Sequence, residues 1–211
     1  ILTGISSAIC SSIMVAIVLL YFTQPNFYRA FTPTLFGIEK VAPRVFTDRP
    51  DRLASIQRAI KAAEENAAVF FPNQTASPSY IVCFTTKCTD VFGPLPLGLT
   101  LGFHRIIIAP NGFNTRVFNH ERVHIELHAL MDLSDLLAPR YPVWFNEGLA
   151  EFLSGSKCLS VLPTAQSIAR VKQAVTMRQW NDMVSDKQYR RHYGSACRAV
   201  EKIVQFTGEK R

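Results

Sequence analysis

Residues 114–133 read NTRVFNHERVHIELHALMDL and residues 142–153 read PVWFNEGLAEFL. The first stretch follows a Pro110-Asn111-Gly112 turn and is expected to form a helix from about Asn114 to Leu133. The second opens on Pro142, which has no N–H to leave unpaired in a first turn, and it reads as a helix ending near Ser154-Gly155. On the first helix His120 and His124 stand one turn apart, about 40° in azimuth and about 6 Å along the axis, so both imidazoles can converge on one ion. Glu121 is turned about 100° from His120 and can reach a water on that ion without ligating it. In a chain of this composition H-E-x-x-H arises by accident only about 0.005 times.

A zinc site that keeps one position open for water needs three protein ligands. Glu147 is the candidate third ligand. It sits among Trp144, Phe145, Leu149 and Phe152, where a charge wants a partner; the plainer alternative is a solvated helix glutamate. Glu151 falls one turn later on the same face. It either accepts the outer N–H of a ligating imidazole, His120 first, or stands as a surface carboxylate. His128 continues the histidine stripe but lies too far along the axis to share the ion, and it reads as structural or pocket-lining.

Working outward, apolar residues at Leu53, Ile56, Ile60, Ala63 and Ala67 predict a helix that begins near Pro50 or Asp51 and is stopped by Pro72. Pro78 to Thr85, Leu97 to Leu101 and Arg105 to Ala109 read as three strands of a small sheet. Two more helices are expected, at about Thr164 to Met177 and about Tyr189 to Phe206. The catalytic-size unit spans 49–208, and 23–48, rich in Pro and aromatics with little periodicity, reads as a tether.

The segment Ile1 to Phe22 carries no charge and has the length of a membrane-crossing helix, so a single retained transmembrane anchor is expected over a cleaved signal. Beyond Cys10 there are four cysteines, an even number that fits two disulfides in an oxidising compartment: Cys83 with Cys88 closing a short loop, and Cys158 with Cys197. A second metal site using Cys83 and Cys88 is the alternative. The basic residues Arg29, Lys40 and Arg44 after the anchor argue for a cytoplasmic domain; the cysteines argue for an extracytoplasmic one, and that reading is preferred. Hydrophobic residues make up 48% of the chain, with 15 Phe, enough for a real core. The net charge of +7 is scattered rather than gathered into a patch with aromatics, which argues against a nucleic-acid partner.

H-E-x-x-H at His120 to His124, followed by Trp144-Phe145-Asn146-Glu147-Gly148-Leu149-Ala150-Glu151-Phe152, resembles the gluzincin zinc peptidases, and within them the small peptidase MA-like proteins. The resemblance covers about Leu97 to Phe152 well and the first 50 residues not at all. The strands followed by helices read as an α+β fold preceded by one transmembrane helix, and the resemblance implies a small mixed sheet packed on an active-site helix pair as in thermolysin-like catalytic domains. It implies that His120, His124 and Glu147 hold Zn2+ and that Glu121 is the general base. It further implies that the strand at Arg105 to Ala109 is a sheet edge able to pair with an extended substrate. Tyr193, at the start of the last helix, would stabilise an oxyanion as gluzincin tyrosines do, or would simply pack in the core. The G-x-M-E-N motif of aminopeptidases is absent.

The expected function is thus a membrane-anchored zinc metallopeptidase acting on a peptide or protein. The rival is a membrane-tethered zinc protein without turnover, against which the presence of Glu121, dispensable for ligation, speaks.

Overall fold

Arg105-Ile106-Ile107-Ile108 forms a strand with all four residues buried, and the sheet is built around it. The chain is described by a computed structural model over residues 25–208, apart from 75, 103, 133, 134, 136–139, 156, 157, 159–161, 186 and 187. In chain order the elements are α1 (Pro25–Phe31), β1 (Glu39–Ala42), β2 (Val45–Thr47), α2 (Leu53–Phe70), β3 (Ser79–Val82), α3 (Thr86–Asp90), β4 (Gly98–Leu101) and β5 (Arg105–Ile108). Then follow α4 (Thr115–Ala129), α5 (Val143–Leu153), α6 (Ala165–Val171), α7 (Met177–Val184) and α8 (Tyr189–Gly208).

The sheet has five strands in the order β1-β2-β3-β5-β4. β2, β3 and β5 run parallel, while β1 and β4 close the two edges antiparallel. Because successive residues of a strand face opposite ways, the parallel centre must be covered on both sides. Tyr80, Val82, Ile106 and Ile108 face α2 and α4 through Ile56, Ile60, Ala63, Val117, Phe118 and Ile125. Ile81, Cys83 and Ile107 face a second core with Ala30, Ile38, Cys88 and Phe92. Each fully buried Ile contributes about 2 kcal/mol of transfer free energy.

This arrangement corrects the expected fold class. The crossover from β2 through α2 to the parallel β3 makes the domain mixed α/β rather than α+β. Only α4 of the helix pair lies on the sheet; α5 packs against α4 and α8 instead. The expected membrane helix is also withdrawn from the fold: among the described residues no helix is long and apolar enough to cross a membrane. The stretch 1–22 on which that expectation rested lies outside them.

Further differences have local causes. The supposed tether contains β1 and β2, joined across Pro43-Arg44 and too short, at four and three residues, to show an alternating pattern. Asp48, just after β2, accepts from Phe84 N, Thr85 N and Thr85 Oγ1 and so ties β3 to the start of α3. The helix expected over Thr164 to Met177 ends at Val171, and a separate helix, α7, begins at Met177 behind a capping box of Thr176 and Gln179. β5 is not an edge, since it is flanked by β3 and β4; the edge is β4. Both expected disulfides are present, Cys83–Cys88 and Cys158–Cys197.

Candidate metal centre

α4 carries the histidines because its start is well defined. Asn114 caps it, its side chain accepting from Val117 N at 3.1 Å, and Val117, Phe118 and Ile125 seat one face on the sheet. His120, Glu121 and His124 then project from another part of the helix. α5 begins after Pro142, and its first N–H groups are taken by a neighbouring segment: Val143 N donates to Val175 O and Trp144 N to Ala174 O, both at 3.0 Å. That fixes the helix end-on and aims Glu147 at the histidines.

Three donor atoms meet there. His120 Nε2 and His124 Nε2 lie 3.1 Å apart, and Glu147 brings Oε2 to 3.5 Å from His120 Nε2 and Oε1 to 3.7 Å from His124 Nε2. A tetrahedral zinc with bonds of about 2.0–2.1 Å separates its ligand atoms by about 3.3 Å, so this spacing fits a single small cation with two nitrogen donors and one oxygen. Among the described residues these three are the group able to hold a metal ion.

The outer ring nitrogens are engaged as well. His120 Nδ1 lies 3.4 Å from Glu151 Oε2, and His124 Nδ1 lies 3.1 Å from Asn146 Oδ1. An acceptor at each Nδ1 favours, in a neutral ring, the tautomer whose Nε2 lone pair is free for an ion. Glu151 is therefore held inside the site at 1% exposure and is no surface carboxylate. Asn146 went unnoticed in the sequence, although it stands immediately before Glu147; only the packing of α5 on α4 pairs it with His124.

The charges point the same way. Glu121, Glu147 and Glu151 all act on His120, and the guanidinium of Arg116 bonds both oxygens of Glu151 at 2.9 Å. Burial alone would depress the His120 imidazolium, but the hydrogen-bonded Glu147 and Glu151 outweigh it and raise His120 to about 10. Burial would likewise raise Glu147, yet the charge of His124 and the hydrogen bonds from both imidazoles hold it well below the usual carboxylate range. In effect a proton on His120 stands where a metal's charge would go.

No protein-family model matches the chain, nor does a curated protein or a solved structure. The geometry of the site therefore carries its interpretation alone.

A cleft of about 880 Å³ opens beside the histidines, lined by His120, Glu121, Arg116, Val117, Leu97 and Tyr193 among others. Glu121, 6% exposed, is not among the converging donors; its Oε2 accepts from Thr100 Oγ1 at 2.8 Å on β4. Gly98, at the start of the same edge strand, is where that carboxylate fits. A Cβ there would come within 2.6 Å of Glu121 Cγ and Oε1. Tyr193 lies 6.1 Å from His120, ring to ring, and edge-on to Trp180 at 5.0 Å, so it serves both the cleft and the core. Burial, reinforced by the charge of Glu147, pushes its phenol well above the ordinary value, so it keeps its proton. His128 stacks on His124 and its Nδ1 hydrogen-bonds Gly102 O at 2.7 Å, outside the ligand group.

Proposed function

We propose that this chain is a zinc-dependent metallopeptidase of the gluzincin kind, hydrolysing peptide bonds with Glu121 as general base. The observation that carries the reading is the meeting of His120 Nε2, His124 Nε2 and the Glu147 carboxylate, whose Oε2 lies 3.5 Å from the first nitrogen and Oε1 3.7 Å from the second, with a further glutamate on the cleft side. Two nitrogens and one oxygen suit zinc, and three protein ligands leave room for a water. A bound zinc supplies Lewis acidity, lowering the pKa of a water towards about 7 and polarising a carbonyl.

The protein's own groups do the rest. Thr100 holds Glu121 by Oε2, which leaves Oε1 to take the proton of the attacking water and pass it to the leaving amine. Tyr193, protonated and beside His120, donates a hydrogen bond to the developing oxyanion. An extended substrate pairs along β4, whose outer edge has no strand partner among the described residues. The two disulfides suit an oxidising compartment.

Elemental analysis together with peptide hydrolysis tests this reading in wild type, Glu121→Gln and His120→Ala. One zinc per chain in wild type and in Glu121→Gln, with hydrolysis lost from the latter, is the expected result. Unchanged hydrolysis by Glu121→Gln removes the general base, and zinc retained without any wild-type hydrolysis makes the domain a binding module.

A further inference from the structure

The carboxylate of Glu151 is gripped from two sides. Its Oε2 lies 3.4 Å from His120 Nδ1, and both of its oxygens accept from one nitrogen of Arg116 at 2.9 Å. Glu151 is all but sealed, at 1% side-chain exposure, whereas Arg116 is 36% exposed and lines the cleft. Arg116 stands one turn before His120 on α4, so the two share a helix face. One helix thus supplies both ligand and clamp, and α5 inserts the carboxylate between them.

An imidazole ligand points its lone pair correctly only while its other nitrogen is tethered, and the tether works only if the carboxylate itself cannot rotate. Glu151 projects from a different helix, and Arg116 is the charged partner that grips its carboxylate on the side away from His120. A guanidinium nitrogen donating to both oxygens limits the carboxylate's rotation. We infer that Arg116 is a positioning residue of the metal centre, acting through Glu151 to hold the His120 ring in its ligating orientation. The inference rests on the metallopeptidase reading above and adds to it a residue on which the quality of the site depends.

Zinc affinity, measured by competition with a chromogenic chelator, and peptide kinetics test it in Arg116→Met, Arg116→Lys, Glu151→Gln and the Arg116→Met/Glu151→Gln double variant. Arg116→Met should lower zinc affinity about 10- to 100-fold and reduce kcat, with KM changed no more than about twofold. Arg116→Lys, which keeps a charged donor, should recover part or all of the loss. The double variant should bind zinc as Glu151→Gln does, because Arg116 then has nothing to position. The cobalt-substituted forms add a spectroscopic readout: the visible bands should shift alike in Arg116→Met and Glu151→Gln.

Wild-type zinc affinity in Arg116→Met, or losses that multiply in the double variant, would overturn the inference while leaving the metallopeptidase reading intact. A raised KM with unaltered zinc affinity would make Arg116 a substrate contact and also overturn it. A wild-type protein that binds no zinc would end both.

Discussion

Gly148 of α5 lies so close to Ala196 of α8 that a Cβ on it would sit 2.6 Å from the Ala196 carbonyl oxygen and 2.7 Å from its carbonyl carbon. The residue just before it is Glu147, the proposed ligand, so this contact sets how near α5 stands to the last helix. Replacing Gly148 by Ala gains about 1 kcal/mol of helix propensity but forces backbone against backbone, at a cost of about 1–3 kcal/mol. Gly148→Ala is expected to lose stability in denaturant unfolding and to bind zinc more weakly. A variant with a raised midpoint and unaltered zinc affinity would show that α5 is not so constrained.

Gly98 makes the opposite case, because the atoms that a Cβ would meet there belong to the Glu121 side chain and can move. Gly98→Ala should therefore leave the fold and the zinc content unchanged while displacing the general base. Peptide hydrolysis is expected to fall at least about 10-fold, in line with the usual contribution of a positioned base. Undiminished hydrolysis would mean that Glu121 works from another position.

His120 gives the metal-free protein a distinct response to pH. Its folded value of about 10 exceeds the ordinary 6.5, so its protonation contributes stability that is fully present below about 6.5 and is lost as pH rises through about 10. Zinc displaces that proton, so its affinity rises over the same interval. With chelator present the thermal midpoint should fall from pH 6.5 to 10, and the increment produced by zinc should widen. Calorimetric titration in buffers of different ionisation enthalpy should register about one proton released per zinc near pH 8. Binding without proton release would contradict the coupling.

The disulfides are expected to differ in worth. Cys158–Cys197 spans 39 residues and ties the segment after α5 to α8, whereas Cys83–Cys88 spans 5 beside the cleft. By loop-closure entropy the first contributes about 4 kcal/mol and the second about 2 kcal/mol. Denaturant unfolding of the paired Cys158→Ala/Cys197→Ala and Cys83→Ala/Cys88→Ala variants measures both. The reverse order would point to folded-state packing instead of chain entropy.

The helix pair, the spacing of the two histidines and the short Cys83–Cys88 loop could be read from the chain alone, because each depends on residues at fixed local separations, and Cys158–Cys197 followed by elimination. Two histidines one turn apart must share a face, and Pro142 marks where a helix starts. The carboxylate of Glu151 and the side chain of Asn146 were different in kind: what they bind is set by the approach of α5 to α4, which no local pattern encodes. Gly98, Thr100 and Arg116 belong to the same class, each defined by a partner on another element.

So do the short strands β1 and β2. At four and three residues they are too brief to show a period; pairing with each other and, through β2, with β3 turns them into sheet. Pairing with both β3 and β4 likewise makes β5 an inner strand and leaves β4 at the edge on that side. The sequence by itself determined which atoms could bind a metal, since local helix geometry carries that information. Only the tertiary structure decided that those atoms meet and what holds them there, because those contacts join residues far apart along the chain.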